Sequence, residues 1–585
     1  MLHEPTADNI QSFFPFAEFR SDQLEAIRLT LEQFRDGKRF VFIEMPTGGG
    51  KSAIAYAVAH FFQTTFWACP QKFLQDQISR DFGQPPKDSL IPVVDLKGRN
   101  NYPCTFYERF AAANIRSLLV AMGKSSSDAT RATDYIISHG TMAGCPVEMN
   151  LGDISKILEI RNKKENCGEG KCKRDGQAKC DECFPAAKSN LIRSLCPYWK
   201  RVGEALPARI CLMNFKAFLS QTVLTHAFAP RDLLIIDEAH NTEAELMSFI
   251  SFTLTDKSLR GHGITFPQLS SATEYAKFMK DSGVLDVIDT ILEHARLAKD
   301  PKTEDEWLDT RRRCTHFLNS AEEGGWVSLF KNCGAWNSIE LKPIYVRGMA
   351  EDFIFSSGRH ILMMSATILS PRSICDSLGI DTSQTYSVRY GSRFPVKNRP
   401  IYFMPVGSLS FKHKHKTLPL IVRAVDAILD RYKGKRGIIH THNFEIARLI
   451  LAGSKYKGRL LFQQDWASKT EMLKEHAERT DTVIVAPAMH EGLDLKDDLG
   501  RFQIIIKVPY PSMKDNPQLE ARMKDSQEYY DWLTALKLVQ SYGRAVRSET
   551  DWAHTYILDA DFGWFKKKAE HLLPQWFTDA ITNVS

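Results

Sequence analysis

Nowhere in its 585 residues does the chain approach the roughly 18 consecutive apolar residues that a membrane-crossing helix needs. The start, Met1-Leu2-His3-Glu4-Pro5, has neither the basic head nor the apolar block of a signal peptide. Both absences set the expectation of a cytoplasmic site without membrane contact. There is no internal repeat and no low-complexity tract, which argues against solenoids, arrays and disordered tails. Charge of one sign is scarce too: 76 basic and 70 acidic residues leave a net +6. That balance permits nucleic-acid binding through a local groove without arguing for it. What remains is an ordinary globular composition, 43% hydrophobic and 25% charged. A prior of about 150 residues per domain gives roughly four domains.

Two segments carry the chemistry. The first is Met45-Pro46-Thr47-Gly48-Gly49-Gly50-Lys51-Ser52. It follows the strand-like Phe40-Val41-Phe42-Ile43 and precedes Ala53-Ile54-Ala55-Tyr56-Ala57, a run of helix formers without breakers. Strand, glycine loop, helix is the setting of a phosphate cradle. Glycines let backbone N–H groups curl around phosphate oxygens, and the helix N-terminus adds its positive end. Lys51 would reach the β- and γ-phosphates of ATP, and the Ser52 hydroxyl would ligate Mg2+. The strict Gly-x-x-x-x-Gly-Lys-Ser pattern lacks its first glycine, replaced here by Met45.

The second segment, Asp237-Glu238-Ala239-His240, ends the buried-strand run Leu233-Leu234-Ile235-Ile236. Asp237 is placed to hold magnesium through water, and Glu238 to take the proton of the attacking water. An acidic pair alone often only solvates a loop. With the phosphate cradle it reads as the catalytic half of a nucleoside-triphosphate motor.

Further strand-like runs end in polar motifs: Ser365-Ala366-Thr367, Thr441-His442-Asn443, His490-Glu491-Gly492-Leu493-Asp494 and Asp559. Helical stretches at 413–431 and 517–539 alternate with them, as in α/β units built on a parallel sheet. In Gln540-Ser541-Tyr542-Gly543-Arg544-Ala545-Val546-Arg547 a helical spacing would put Gln540, Arg544 and Arg547 on one face. Guanidinium groups presented so would stabilise charge on a transferred phosphoryl group.

In this order the motifs resemble a superfamily 2 helicase, and the details resemble its XPD/DinG branch of iron–sulfur DNA helicases. The resemblance rests on Glu44-Met45-Pro46-Thr47-Gly48, Lys97-Gly98-Arg99-Asn100-Asn101-Tyr102-Pro103-Cys104, Cys196-Pro197-Tyr198-Trp199, Asp237-Glu238-Ala239-His240, Glu491-Gly492-Leu493-Asp494 and Gln540-x-x-Gly543-Arg544-x-x-Arg547. It spans about Phe19 to Asp559 and is loose between 110 and 190 and between 250 and 350. The length looks closest to a compact bacterial or phage DinG-like form, in the bacterial or host cytoplasm.

The resemblance implies an α/β fold of two RecA-like P-loop domains with parallel sheets, the first carrying a cysteine-rich iron–sulfur insertion and a mainly helical arch insertion. The implied bounds are 1–100, 197–245 and 350–395 for motor domain 1, 101–196 for the cluster domain, 246–349 for the arch and 396–585 for motor domain 2. ATP would be held by Arg20, Gln23, Thr47, Gly48, Gly49, Gly50, Lys51, Ser52, Asp237, Gly492 and Asp494. Lys51, Asp237, Glu238, Gln540, Arg544 and Arg547 would be catalytic. Ser365 and Thr367 would couple hydrolysis to movement, and Gln77 belongs to a segment that approaches the DNA strand.

Twelve cysteines in a cytoplasmic chain argue against structural disulfides. Seven crowd between the glycine loop and Asp237, while Cys69, Cys211, Cys314, Cys333 and Cys375 are scattered and read as small core residues. Four thiolates can hold a [4Fe–4S] cluster. The resemblance maps the first and last ligands to Cys104 and Cys196. The middle two are any two of Cys167, Cys172, Cys180 and Cys183, and those four alone would also make an all-thiolate zinc site. In the 246–349 stretch, Trp326, Phe330, Trp336 and Arg311-Arg312-Arg313 would stack bases and meet phosphates, or serve as core and surface.

The expected activity is ATP-dependent 5′→3′ translocation on single-stranded DNA and unwinding of forked duplexes by a monomer. Alternatives are an enzyme acting on RNA–DNA hybrids, a protein-stripping translocase, and a non-catalytic ATP-binding clamp. Protein partners stay unknown, and repair, recombination and phage replication all stay open.

Overall fold

A computed structural model describes residues 6–585 except 86, 88, 99–100, 103–114, 140–196, 298–300, 322–323, 411, 463, 465–468, 488–494, 496, 515, 544–545, 547 and 585. The chain divides into two compact units: 1–92 with 229–247 and 344–585, and 93–228 with 248–343.

The strands in chain order are β1 (Phe40–Glu44), β2 (Thr65–Cys69), β3 (Val93–Leu96), β4 (Ile210–Asn214) and β5 (Arg231–Asp237). Next come β6 (Phe252–Thr255), β7 (Trp326–Asn332), β8 (Asn337–Pro343), β9 (Gly358–Ser365) and β10 (Thr385–Arg389). The last are β11 (Ile401–Gly407), β12 (Gly437–His440), β13 (Leu460–Phe462), β14 (Val483–Ala486), β15 (Phe502–Ile505), β16 (His554–Asp559) and β17 (Ile581–Asn583).

The first unit holds two parallel sheets. In one, the order β10-β1-β9-β5-β2 puts β1 and β5 on either side of β9. All residues of β1 and β2 are buried, the unbroken apolar run of strands covered on both faces. In the other, the order β13-β14-β12-β15-β16-β11-β17 is likewise parallel throughout. Ile421, Val425 and Ile428 of the Lys414–Arg431 helix are buried with Ile439, Val485 and Ile504 of this sheet. Two parallel α/β sheets are what the strand–helix alternation predicts.

Register assembles the site. Glu44 at the carboxyl end of β1 lies opposite Ser365 of β9, and Asp237 of β5 lies opposite Met364. Residues far apart in sequence thus end on neighbouring rungs at one sheet edge, where parallel α/β sheets bind ligands.

In the second unit β3 pairs with β4, and β6-β8-β7 form an antiparallel sheet. Helices Ala272–Asp281, Val284–Leu297 and Pro301–Ser320 fill the stretch expected to be mainly helical, and the β7–β8 hairpin adds the sheet. Trp326 is 6% exposed, donates to Ser320 at 3.0 Å and packs edge-on to Phe317. Arg311, Arg312 and Arg313 each pair with an aspartate, Asp289 or Asp309. Core packing and surface pairing account for these residues better than a phosphate groove does. No described helix is long and apolar enough to cross a membrane.

Candidate nucleotide site and its relay

Phe40–Glu44 leads into the glycine loop, and the Lys51–Ala59 helix leaves it, as the residue types require. Gly48 and Gly50 both take φ of +84°. Only glycine adopts this region at no steric cost. A Cβ on Gly50 would also overlap the Gln23 amide. Lys51 Nζ donates to the Met45 carbonyl at 3.2 Å, which holds the ammonium against its own loop.

Arg20 and Gln23 sit on this loop. The helix here begins at Gln23, with Asp22 as an N-cap whose side chain makes no capping bond. Gln23 is 2% exposed and its Nε2 donates to the carbonyls of Gly49 and Gly50, both at 3.2 Å. Its Oε1 accepts from Arg20 N at 2.7 Å, and the Arg20 guanidinium donates to the Gly48 carbonyl. Two side chains from outside the loop therefore fix three successive glycine carbonyls, and the Gly49 N–H donates within the loop to the Pro46 carbonyl at 3.1 Å.

Asp237 is buried at the end of β5. Burial, with Glu238 alongside, pushes its carboxyl up to about 7 against the pull of Lys51. A carboxylate so placed is uncompensated until a cation arrives. The donor set thus fits a divalent magnesium held by Asp237 and Ser52, which would neutralise charge on the phosphates. Glu238 takes φ +49° and ψ 51°, a backbone state that costs a non-glycine residue about 1–3 kcal/mol and recurs at active sites. Its Oε2 accepts from Ser365 Oγ at 3.1 Å. The Ser365 oxygen accepts in turn from Thr367 N at 3.0 Å and lies 2.7 Å from His240 Nδ1. Because the hydroxyl proton goes to Glu238, His240 Nδ1 must be the donor to Ser365. His240 Nε2 is then the acceptor, and Gln540 Nε2 donates to it at 2.5 Å. Gln540 also lies 3.5 Å from Thr367 Oγ1. One chain of hydrogen bonds runs from Glu238 through Ser365 and His240 to a helix of the second sheet.

Four residues to which the sequence reading gave no role join the site: Glu44, Arg393, Phe394 and Arg399. Glu44 is 2% exposed, and its Oε2 accepts from Arg389 Nε at 2.8 Å and from Leu369 N at 3.0 Å. Burial raises its pKa although Arg389 pulls the other way. It pins the left-handed Leu369 just after Ser365-Ala366-Thr367. Arg393 and Phe394 line a cleft with Ser21, Asp22, Pro46 and Gly48, opposite the loop from the link between β10 and β11. Arg399, 5% exposed, donates to the Phe394 carbonyl at 2.8 Å, and its own carbonyl accepts from Tyr542 at 2.7 Å.

The Gln527–Tyr542 helix ends at Tyr542, with Gly543 as its C-cap, so Gln540 stands in its last turn. Arg544, Arg547, Gly492 and Asp494 lie outside the described residues, as do Cys104, Cys167, Cys172, Cys180, Cys183 and Cys196. Among the described residues no cluster of His, Cys, Asp or Glu is placed to hold a metal. Cys69, Cys211, Cys314 and Cys375 are buried, whereas Cys333 is exposed. Gln77 is exposed on the Lys72–Phe82 helix, beside the 61%-exposed Phe73.

Fold and site together define a P-loop α/β protein whose two parallel-sheet halves are joined by hydrogen bonds from Glu238 through Ser365 and His240 to Gln540. Family models match in chain order: type III restriction enzyme res subunit at 16–137, DEAD_2 at 159–259 and helicase C-terminal domain at 440–580. By fold the chain is similar to a structure titled XPD helicase, with TM-score 0.59 and 15% identity over 97% of this chain and all of that one. Another, titled Xpd4 of S. tokodaii, gives 0.53 and 11% over 97% of this chain and all of that one. The ATP-dependent DNA helicase chl-1 of Caenorhabditis elegans is 34% identical over 104 residues, 16% of this chain and 12% of that protein. The mouse ATP-dependent DNA helicase DDX11 is 29% identical over 112 residues, 17% and 12%. The chain thus spans about an eighth of the length of these curated relatives. Two of the three family models are by their descriptions a helicase domain and a restriction-enzyme subunit, and the fold is that of the two XPD structures.

Proposed function

We propose that the chain is an ATP-dependent DNA helicase that translocates 5′→3′ on single-stranded DNA and unwinds forked duplexes. The observation that carries this reading is the relay from Glu238 to Gln540. It links the base that would activate water to the second sheet, so loss of the γ-phosphate changes what the second half can hold. Lys51 and the glycine N–H groups bind the triphosphate, Glu238 accepts the proton of water, and Ser365 with His240 orients Glu238. Arg544 and Arg547 are assigned the charge on the transferred phosphoryl group by their place in the motif. Polarity and DNA as substrate are supported by the XPD/DinG-like motifs and by the names of the relatives.

The domain bounds are proposed as set out from the motifs. For the cysteines we propose a [4Fe–4S] cluster on Cys104, Cys196 and two of Cys167, Cys172, Cys180 and Cys183, supported by a DEAD_2 match at 159–259 that runs through all of these but Cys104. Four irons with matching sulfide per chain, in protein purified without oxygen, support it, and zinc without iron replaces it by a zinc site.

The test of function is ATP hydrolysis with single-stranded DNA or RNA of matched sequence, and unwinding of forks with one 5′ or one 3′ tail. DNA-stimulated hydrolysis lost in Lys51→Ala with strand binding retained, plus unwinding from the 5′ tail, is the expected result. Hydrolysis by Lys51→Ala at the wild-type rate would remove the phosphate-cradle assignment. Equal stimulation by RNA would redirect the substrate to hybrids.

A further inference from the structure

A second contact between the motor halves lies outside the nucleotide site. Arg522, on the Pro517–Asp525 helix of the second half, is 4% exposed. Its guanidinium donates to Glu243 Oε1 and, at 2.9 Å, to Ser377 Oγ. Glu243 belongs to the Thr242–Ile250 helix that begins just past His240, and Ser377 to the Pro371–Leu378 helix after Thr367. The other carboxylate oxygen of Glu243 accepts from the Tyr529 hydroxyl at 3.1 Å. Two rings close over the guanidinium, Tyr529 with its centroid at 3.6 Å and Tyr345 at 4.4 Å. Nearby, Trp532 Nε1 donates to the Ile368 carbonyl at 3.0 Å and Gln518 to the Ile344 carbonyl at 3.1 Å.

This contact and the Gln540–His240 bond differ in kind. Drawing Arg522 from Glu243 strands two buried charges, each held in a cage with no replacement partner. Opening Gln540 from His240 breaks a hydrogen bond between two buried side chains but separates no ion pair. The cheap contact is free to cycle while the costly one stays closed. Arg522 also stands on the helix preceding the one that carries Gln540, and Tyr529 on that same helix.

We infer that Arg522 and Glu243 form the pivot about which the motor halves turn, a positioning pair that sets the Gln527–Tyr542 helix so that Gln540 meets His240. The inference rests on the ATPase reading above. Neither residue touches nucleotide.

The experiment compares wild type with Arg522→Gln, Arg522→Lys, Tyr529→Phe, Gln540→Ala and the Arg522→Gln/Gln540→Ala double variant. Single-stranded-DNA-stimulated hydrolysis is read with backbone hydrogen exchange, without nucleotide and with ATPγS. The expected result for Arg522→Gln is kcat down about tenfold or more with KM for ATP within about threefold, since only transition-state alignment is lost. Arg522→Lys restores part of kcat, and the double variant is no slower than the worse single one. Exchange within 517–532 stays slow in wild type in both states, quickens in Arg522→Gln and is unchanged in Gln540→Ala. Wild-type kcat in Arg522→Gln, or exchange in 517–532 that changes with ATPγS in wild type, overturns the pivot. If Arg522→Gln does not fold, Tyr529→Phe decides, because it keeps the ring and removes one bond to Glu243: wild-type kcat with unchanged exchange there also overturns it. Should wild type fail to hydrolyse ATP, the ATPase reading falls, while the exchange comparison still decides whether the joint holds.

Discussion

Gln540 and His240, 300 residues apart, meet at 2.5 Å between their Nε2 atoms, and the proton order along the relay makes His240 the acceptor. The bond ties the second sheet to the residue that orients Glu238 through Ser365.

Removing either partner should therefore slow hydrolysis while leaving nucleotide binding nearly intact. We expect Gln540→Ala and His240→Ala each to lower kcat by about tenfold, near 1.4 kcal/mol, with little change in KM. In the double variant the losses should fail to add by about 0.5–1.4 kcal/mol, as for groups in one network. Additive losses in steady-state kinetics would mean the two act separately.

The glycine-loop carbonyls make a second case. Gln23→Ala frees the Gly49 and Gly50 carbonyls and should weaken nucleotide binding by about 1–3 kcal/mol, the cost of leaving partly buried groups unpaired. Gly50→Ala should do more, because φ of +84° alone costs an alanine about 1–3 kcal/mol before its overlap with Gln23 is counted. Gly37→Ala, with φ +90° and open space around it, is the control for strain without a nucleotide effect. Titration with a fluorescent ATP analogue and thermal melts separate the two contributions.

Phe394, on the link between β10 and β11, lines a cleft with Pro46 and Gly48 of the glycine loop. If its ring supports the base, Phe394→Ala should raise KM for ATP by about 1–3 kcal/mol worth of binding, with kcat kept. Inorganic triphosphate, which has no base, should inhibit the variant and wild type equally. Loss of inhibition by triphosphate would place the effect on the loop instead.

How much of this the sequence showed depends on distance along the chain. The phosphate loop and Asp237-Glu238-Ala239-His240 were legible because strand, turn and helix formers within about ten residues dictate them. Both parallel sheets followed from the same local alternation. Glu44, by contrast, looks like an ordinary strand end. Its meaning comes from Leu369 and Arg389, 325 and 345 residues away. Arg522 reads as one more basic residue on an amphipathic helix until Glu243, 279 residues off, is brought beside it. Partner choice at such range is set by strand order and register, which no local pattern encodes. The helix expected through Gln540 stops at Tyr542, with Gly543 as its C-cap, an end that became clear only in three dimensions.

Asp559 tests the electrostatics of the second sheet apart from nucleotide and metal. It sits at the carboxyl end of β16, 1% exposed, and accepts from Val508 N at 2.9 Å, Asp561 N at 3.1 Å and Leu409 N at 3.4 Å. Burial outweighs these bonds and lifts its carboxyl from 3.8 to about 6, with Asp561 adding to the rise. The folded chain thus keeps this proton over a range where the unfolded chain has lost it. Stability from this group is full below pH 4, falls as pH climbs through 6 and levels off above. The span corresponds to about 3 kcal/mol at most. Asp559→Asn carries no such dependence, and any penalty for facing N–H donors is the same at every pH. Urea unfolding of both proteins between pH 4 and 7 should therefore show the variant gaining on wild type by up to about 3 kcal/mol as pH rises. A difference that stays flat, or runs the other way, would mean that the three N–H donors hold Asp559 as an ordinary carboxylate and that the edge of the second sheet is better solvated than its burial implies.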